Sequence, residues 1–135
     1  MSFNHSVSDL VSTLKNGYLA KTQTVSMPVS KLRDSILTIL KEEGYILNYA
    51  KFKDGSHDRF KISLKYHNSI PVLTEISVVS KPGRKIYCNS KDIPLVKNGL
   101  GMVLISTSHG VLPDHVARTK NLGGEILLKI FLRLG

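Results

Sequence analysis

The stretch 102-Met-Val-Leu-Ile-Ser-Thr-Ser-His-Gly-110 decides how this chain folds. Four consecutive apolar residues, Met102 to Ile105, read as a buried strand, and three hydroxyls follow before a glycine. Further on, Gly123-Gly124-Glu125 introduces a second apolar run, Ile126 to Leu132, which predicts another strand. Two such strands make a rigid frame for the Ser106–Gly110 loop. Its small donors could approach a nucleic acid closely, although serine-rich loops are also common as ordinary polar turns.

Working outward, a short helix is expected between the two strands, from near Pro113 to Asn121-Leu122-Gly123. Upstream, Val72 to Val79 and Arg84 to Cys88 look like strands joined by Ser80-Lys81-Pro82-Gly83, and Asp92 to Asn98 reads as a helical turn before Gly99. Residues 68–135 are therefore mostly β. The first half differs. Leu10, Val11, Leu14 and Tyr18 recur at helical spacing over Asp9 to Tyr18, with Ser6 or Ser8 as N-cap. Thr24 to Pro28 is a short strand; Ser30 caps a second helix running to Glu43, with Leu32, Ile36, Ile39 and Leu40 inward and Gly44 as stop. Tyr45 to Phe52 and Phe60 to Leu64 alternate around the turn sequence Lys53-Asp54-Gly55-Ser56 and should pair as a hairpin, with Gly55 to Asp58 the internal stretch most open to disorder. The order is α-β-α-β-β over residues 1–67, and the boundary falls at Tyr66 to Ser69, ahead of Pro71.

The chain has 135 residues, 41% of them hydrophobic, enough for a real core. No apolar run approaches the roughly 20 residues of a membrane span, and Met1 to Asp9 show no signal or transit pattern. One cysteine, Cys88, precludes an internal disulfide framework and fits a reducing compartment. A formal charge of +9 points to a polyanionic partner, with nucleic acid favoured. The excess is spread out: ten basic against six acidic residues up to residue 67, and nine against four thereafter.

Three cations and a tyrosine surround the turn Ser80-Lys81-Pro82-Gly83-Arg84-Lys85-Ile86-Tyr87. Lys81, Arg84 and Lys85, with Pro82 shaping the turn, could grip phosphates while Tyr87 stacks on a base or sugar; an ordinary solvated hairpin is the plainer reading. Lys15, Asn16, Lys21 and Lys31 cluster around the first helix and the start of the second, with Pro28 and Ser30 at the strand end, and form another possible phosphate-binding surface, or simply the polar faces of amphipathic helices. Catalysis is poorly supported: Ser106 stands where a nucleophile elbow needs glycine, and nothing orients His109 and Asp114 around Ser108 as a triad. His5, His57, His67, His109 and His115 lack metal-ligand spacing, so no metal is expected. Gly99-Leu100-Gly101 and Gly123-Gly124 lack the dinucleotide-binding pattern, and no other cofactor is implied. Lys85 and Lys91 could lower the Cys88 thiol pKa, but an inert strand cysteine is the simpler reading.

In order, these segments resemble bacterial-type small-subunit ribosomal protein eight, from about Ser8 to Phe131. The matching pieces are Asp9-Leu10 with Lys15-Asn16-Gly17, Pro28 with Ser30-Lys31, Leu40 to Ile46, Leu64-Lys65-Tyr66, Ser80 to Gly83 with Ile86-Tyr87, and Gly99-Leu100-Gly101. Most diagnostic are Ser106-Thr107-Ser108-x-Gly110, Asp114, Ala117-Arg118 and Gly123-Gly124-Glu125. The resemblance implies an α+β fold, in which the N-terminal α-β-α-β-β domain packs against a mainly β C-terminal domain with a short helix. It implies a non-enzymatic protein of the small ribosomal subunit that binds a helical hairpin in the central domain of the small-subunit rRNA and supports assembly. Neighbouring ribosomal proteins are implied as partners, with a monomer outside the ribosome, in bacterial cytoplasm or an organelle matrix. Ser106, Thr107, Ser108 and Gly110 would contact RNA, Tyr87 would stack nearby, and Gly124 and Glu125 would shape the same pocket. Small hydroxyls suit A-form RNA, which is read through its shallow minor groove and irregular bases. Three departures stand out: His109 replaces the family's usual cation, Leu112-Pro113 a Met-Thr pair, and Thr13-Leu14-Lys15 an Arg-Ile-Arg pattern. Each removes a cation or alters a turn, so weaker RNA affinity, or affinity shared with neighbouring proteins, is expected. A free-standing nucleic-acid-binding regulator is the alternative, disfavoured because neither helix carries a convincing recognition face.

Overall fold

The computed structural model describes residues 3–94 and 101–132. Helix α1, Phe3–Leu19, places Val7, Leu10, Val11, Leu14 and Tyr18 on one buried stripe. It starts earlier than expected, so Ser6 and Ser8 lie inside the helix and cap nothing. The apolar stripe reaches back to Val7, and the Ser6 carbonyl accepts a hydrogen bond from Arg33 Nε at 3.3 Å.

Strand β1, Thr24–Pro28, leads into α2, Lys31–Glu42. Ser30 caps this helix as expected, accepting from the Arg33 amide at 3.1 Å. At the other end the Gly44 amide donates to the Lys41 carbonyl at 3.2 Å and the Tyr45 amide to Leu40 at 2.8 Å. This Schellman closure requires a left-handed residue at position 44, where glycine has φ +83°. Ile36, Ile39 and Leu40 are buried as expected and Leu37 joins them, while Leu32 is only half-buried. Buried Arg33 also faces inward: its Nη1 donates to the Pro28 carbonyl at 2.9 Å and Nη2 reaches Asp9 at 3.4 Å, tying α1, β1 and α2 together.

Strands β2, Ile46–Asp54, and β3, His57–Leu64, form a hairpin closed by Gly55-Ser56, with Asp54 opposite His57. Gly55 has φ +67°, which suits the first central position of a two-residue hairpin turn. Within the stretch Gly55 to Asp58, Gly55-Ser56 is the tight turn while His57 and Asp58 pair with Asp54 and Lys53, because a two-residue turn lets the ladder run to its end. The first sheet has the order β1-β3-β2, all antiparallel, with Met27, Ile46, Phe60, Ile62 and Leu64 buried. Strands β4, Tyr66–His67, and β5, Ile70–Pro71, make a small hairpin with Asn68 and Ser69 both at positive φ.

The second sheet contains β6, Leu73–Val78; β7, Tyr87–Cys88; β8, Gly101–Thr107; β9, Gly110–Pro113; and β10, Gly124–Leu132. Its order is β6-β10-β8-β9, with β7 also on β10. Here two expectations are corrected. The strand expected over Arg84 to Cys88 pairs only at Tyr87-Cys88, and it does not form a hairpin with β6. Instead β6 pairs with β10 at residues 128–132 and β7 at Gly124-Glu125, so both follow β10 antiparallel and the chain between them is a detour. The four-residue strand β9 was unanticipated, and it precedes α3, Asp114–Thr119, which falls inside the helix expected from Pro113. The helical turn expected over Asp92 to Asn98 is a 3-10 turn at Ser90–Asp92; residues 95–98 lie outside the described residues.

A register shift between Ile126 and Leu128 re-aims β10. Ile126 packs with Ile93, Val103, Ile105 and Ala117 beneath α3. Leu128 and Ile130 join Leu73, Ile76, Met102 and Leu104 in a larger cluster that is continuous with the apolar faces of α1, α2 and the first sheet.

Candidate nucleic-acid interface

The Ser106–Gly110 segment is the tip of the β8–β9 hairpin. Ser106 pairs with Val111 and Thr107 with Gly110, leaving Ser108 and His109 as the exposed turn. Gly110 has φ +99°, a conformation that disfavours a side chain there. The Thr107 hydroxyl donates to the Gly110 carbonyl at 2.8 Å and accepts from the His109 amide at 3.1 Å. Thr107 therefore builds the turn, while the hydroxyls of half-buried Ser106 and exposed Ser108 make no side-chain hydrogen bond within the described chain.

Strand register brings distant residues to this tip. Glu125 lies opposite Ser106 on one side and Tyr87 on the other. Directly opposed residues share a face of a sheet, so Tyr87, Glu125, Ser106 and Val111 form one row across β7, β10, β8 and β9. The row grades from open to enclosed. Tyr87 is 66% exposed, whereas Glu125 is 8% exposed and its Oε2 takes no hydrogen bond from the described chain. A buried carboxylate oxygen without a donor is costly, so the row holds a desolvated polar atom at its centre.

Gly123 and Gly124 allow these strands to meet. A Cβ at 123 would overlap the Cys88 carbonyl oxygen and one at 124 the Ser106 carbonyl oxygen. Next to them, the Ser80-to-Ile86 detour is fastened by one buried hydroxyl. Ser80 Oγ accepts from the Ile86 amide at 3.0 Å and donates to the Ile126 carbonyl at 2.6 Å. Beyond it Lys81 and Arg84 exchange backbone hydrogen bonds of 3.1 and 2.9 Å around Pro82-Gly83, with Gly83 at φ +80°. Lys81, Pro82, Arg84 and Lys85 are all exposed, so the cations project from a closed turn. The Cys88 thiol pKa is raised, chiefly by burial, with the amide of Gly124 opposing; this is opposite to an activated thiol.

Lys15, Asn16, Ser30 and Lys31 are not brought to this row. Lys15 and Asn16 sit exposed on α1, with Lys15 beside a groove that includes Tyr18, Leu19 and Glu75. Lys31 is the exposed first residue of α2, and the Ser30 hydroxyl is occupied as its cap. Sequence reasoning gave no role to Arg118. Its Nη2 donates to the Pro94 carbonyl at 3.0 Å and meets Asp114 at 3.3 Å, fixing one wall of the crevice beside Tyr87 that Asn89, Asp92 and Ile126 also line. The Asp114-to-Arg118 spacing of one helical turn was the available signal.

Residues 5–131 match the family model described as "Ribosomal protein S8". Relatives include the "Small ribosomal subunit protein uS8" of Hyphomonas neptunium, 43% identical over 131 residues, and that of Mesorhizobium japonicum, 46% identical over 132 residues. The protein of the same name from Zymomonas mobilis is 44% identical over 131 residues, and each of the three matches covers 97% of this chain and all of the relative. On the match along nearly its whole length, this chain belongs to the ribosomal protein S8 family.

Proposed function

We propose that this chain is a structural component of the small ribosomal subunit that binds a helical hairpin in the central domain of the small-subunit rRNA and supports local assembly. Membership in a structural family argues against an enzyme, and the free-standing regulator finds no support among the relatives. Bacterial relatives point to the bacterial cytoplasm. Residues 1–67 would form an N-terminal α/β domain, with Lys15, Asn16, Ser30 and Lys31 as a lesser RNA contact, and residues 68–135 the mainly β RNA-binding domain, with neighbouring ribosomal proteins as further partners. Outside the ribosome the protein would be a monomer without cofactor or small-molecule substrate.

The row Tyr87-Glu125-Ser106, continued by exposed Ser108, carries this reading. It offers an exposed stacking ring and two unengaged hydroxyls on one sheet, a set suited to 2′-hydroxyls and the edges of irregular bases. Lys81, Arg84 and Lys85 supply the sequence-independent part by facing phosphates. Replacing Ser106 and Ser108 together by Ala should weaken binding to the rRNA hairpin by about 1–3 kcal/mol without unfolding. Unchanged affinity in a filter-binding titration would remove this hairpin from the interface.

A further inference from the structure

The first sheet has a second face. One side packs on α1 and α2 through Met27, Phe60 and Ile62. On the other, register places Pro28, Arg59 and Phe52 in one row, Ser26, Lys61 and Ala50 in the next, and Thr24, Ser63 and Asn48 in a third. Apart from half-buried Arg59 and Ser63, these residues are exposed. The short side chains of Ser26, Ala50 and Ser63 keep the floor low, while Phe52, a large apolar ring left 39% exposed, rises beside it. Arg59 Nη2 donates to Ser26 Oγ at 3.3 Å, which lays the guanidinium across the sheet. The result is an open trough of about 480 Å³ whose lining includes Thr24, Ser26, Phe52 and Lys61.

From this surface we infer a second RNA contact: the open face of the β1-β3-β2 sheet binds single-stranded RNA, with a base stacked on Phe52 and the backbone against Arg59 and Lys61. Charge argues for this occupant over a protein. Of the ten acidic residues, Asp54 at the hairpin tip is the one that register puts on this face, whereas two cations lie at its centre. A flat sheet with an exposed ring, flanking cations and hydroxyls suits splayed bases, since stacking tolerates any base and the polar groups meet sugar and phosphate. A protein segment would need carboxylates spaced to meet both Arg59 and Lys61, whereas an RNA strand brings a phosphate at every nucleotide. None of these residues belongs to the β8–β9 hairpin, so this surface and the proposed rRNA-hairpin site can fail independently.

The probe is an oligouridylate of about eight nucleotides carrying 4-thiouridine, mixed with the full chain. Irradiation should cross-link it to the segment 48–63, and Phe52→Ala should lower its affinity about tenfold while Phe52→Tyr retains it. Arg59→Ala and Lys61→Ala should each flatten the slope of log affinity against log salt by about 0.7. The Ser106/Ser108 double alanine variant should bind this oligonucleotide like the parent, and an unchanged thermal melt should confirm that the Phe52 variants fold. Parent-like affinity of Phe52→Ala, or cross-links confined to other segments, would overturn the proposal. So would cross-linking of this face to a protein within assembled subunits.

Discussion

Gly124 on β10 lies flush against Ser106 on β8: a Cβ at position 124 would overlap the Ser106 carbonyl oxygen and stand 2.9 Å from its carbonyl carbon. The neighbouring obstacles are backbone atoms, including Thr107 Cα at 3.3 Å, so no side-chain rotation can relieve the clash. Gly124→Ala should therefore cost about 3 kcal/mol or more and separate the Glu125–Ser106 pair. Chemical denaturation and rRNA-hairpin binding should both register the change. A variant with parent stability would show that β8 and β10 can part here without penalty.

Removing the turn cations should leave a different signature. Lys81 and Arg84 are exposed around a turn closed by its own backbone, so Lys81→Ala with Arg84→Ala should leave the melting temperature nearly unchanged. The slope of log affinity for the rRNA hairpin against log salt should flatten by about 0.7–0.9 per lost phosphate contact. If affinity fell while the slope held, these side chains would not be facing phosphates.

Tyr18 predicts an alkaline transition. Its hydroxyl donates to the Tyr45 carbonyl at 2.8 Å and accepts from the Lys65 amide at 3.1 Å, while burial, its largest cause, pushes the phenol from 10.0 up to about 12. Tyr45 is likewise raised to about 12, first by burial and then by the carboxylates of Glu43 and Asp114. Folding thus disfavours the charged form, so this stability is intact below pH 10 and is lost as pH rises through about 12. Tyr18→Phe should cost about 1–2 kcal/mol at neutral pH and make the alkaline decline shallower. Urea midpoints over this pH range measure both effects, and an unaltered decline would exclude Tyr18 as a contributor.

Arg33 tests how far three elements depend on one side chain. Arg33→Met should lower stability by about 2 kcal/mol, because the carbonyls of Pro28 and Ser6 lose their donors. Arg33→Lys should recover only part of the loss, since a single ammonium cannot reproduce a planar fork. If Arg33→Met were as stable as the parent in denaturant, the buried guanidinium would be tolerated rather than stabilising.

Elements whose signals are local were legible in the sequence. Helix α2 announces itself by Ser30, by Ile36, Ile39 and Leu40, and by Gly44, and the structure uses each accordingly. Strands β8 and β10 were legible as apolar runs. What escaped depends on distant partners. Arg84 to Cys88 looks like a strand, but the Ser80 hydroxyl captures the Ile86 amide and leaves only Tyr87-Cys88 to pair. Three hydroxyls looked equivalent at 106–108, and only the fold separates Thr107, committed to the turn, from its neighbours. The enclosure of Glu125 is equally long-range, because Tyr87 and Ser106 flank it from opposite strands.

Since β6 and β7 are both pinned to β10, and Ser80 fastens the base of the excursion between them, the segment from Lys81 to Lys85 is mechanically decoupled from the sheet. Residues could be added or exchanged in that side-track without shifting the register of a single strand. The number of charges on the turn can thus change one at a time while the Ser106–Glu125 pairing keeps its geometry.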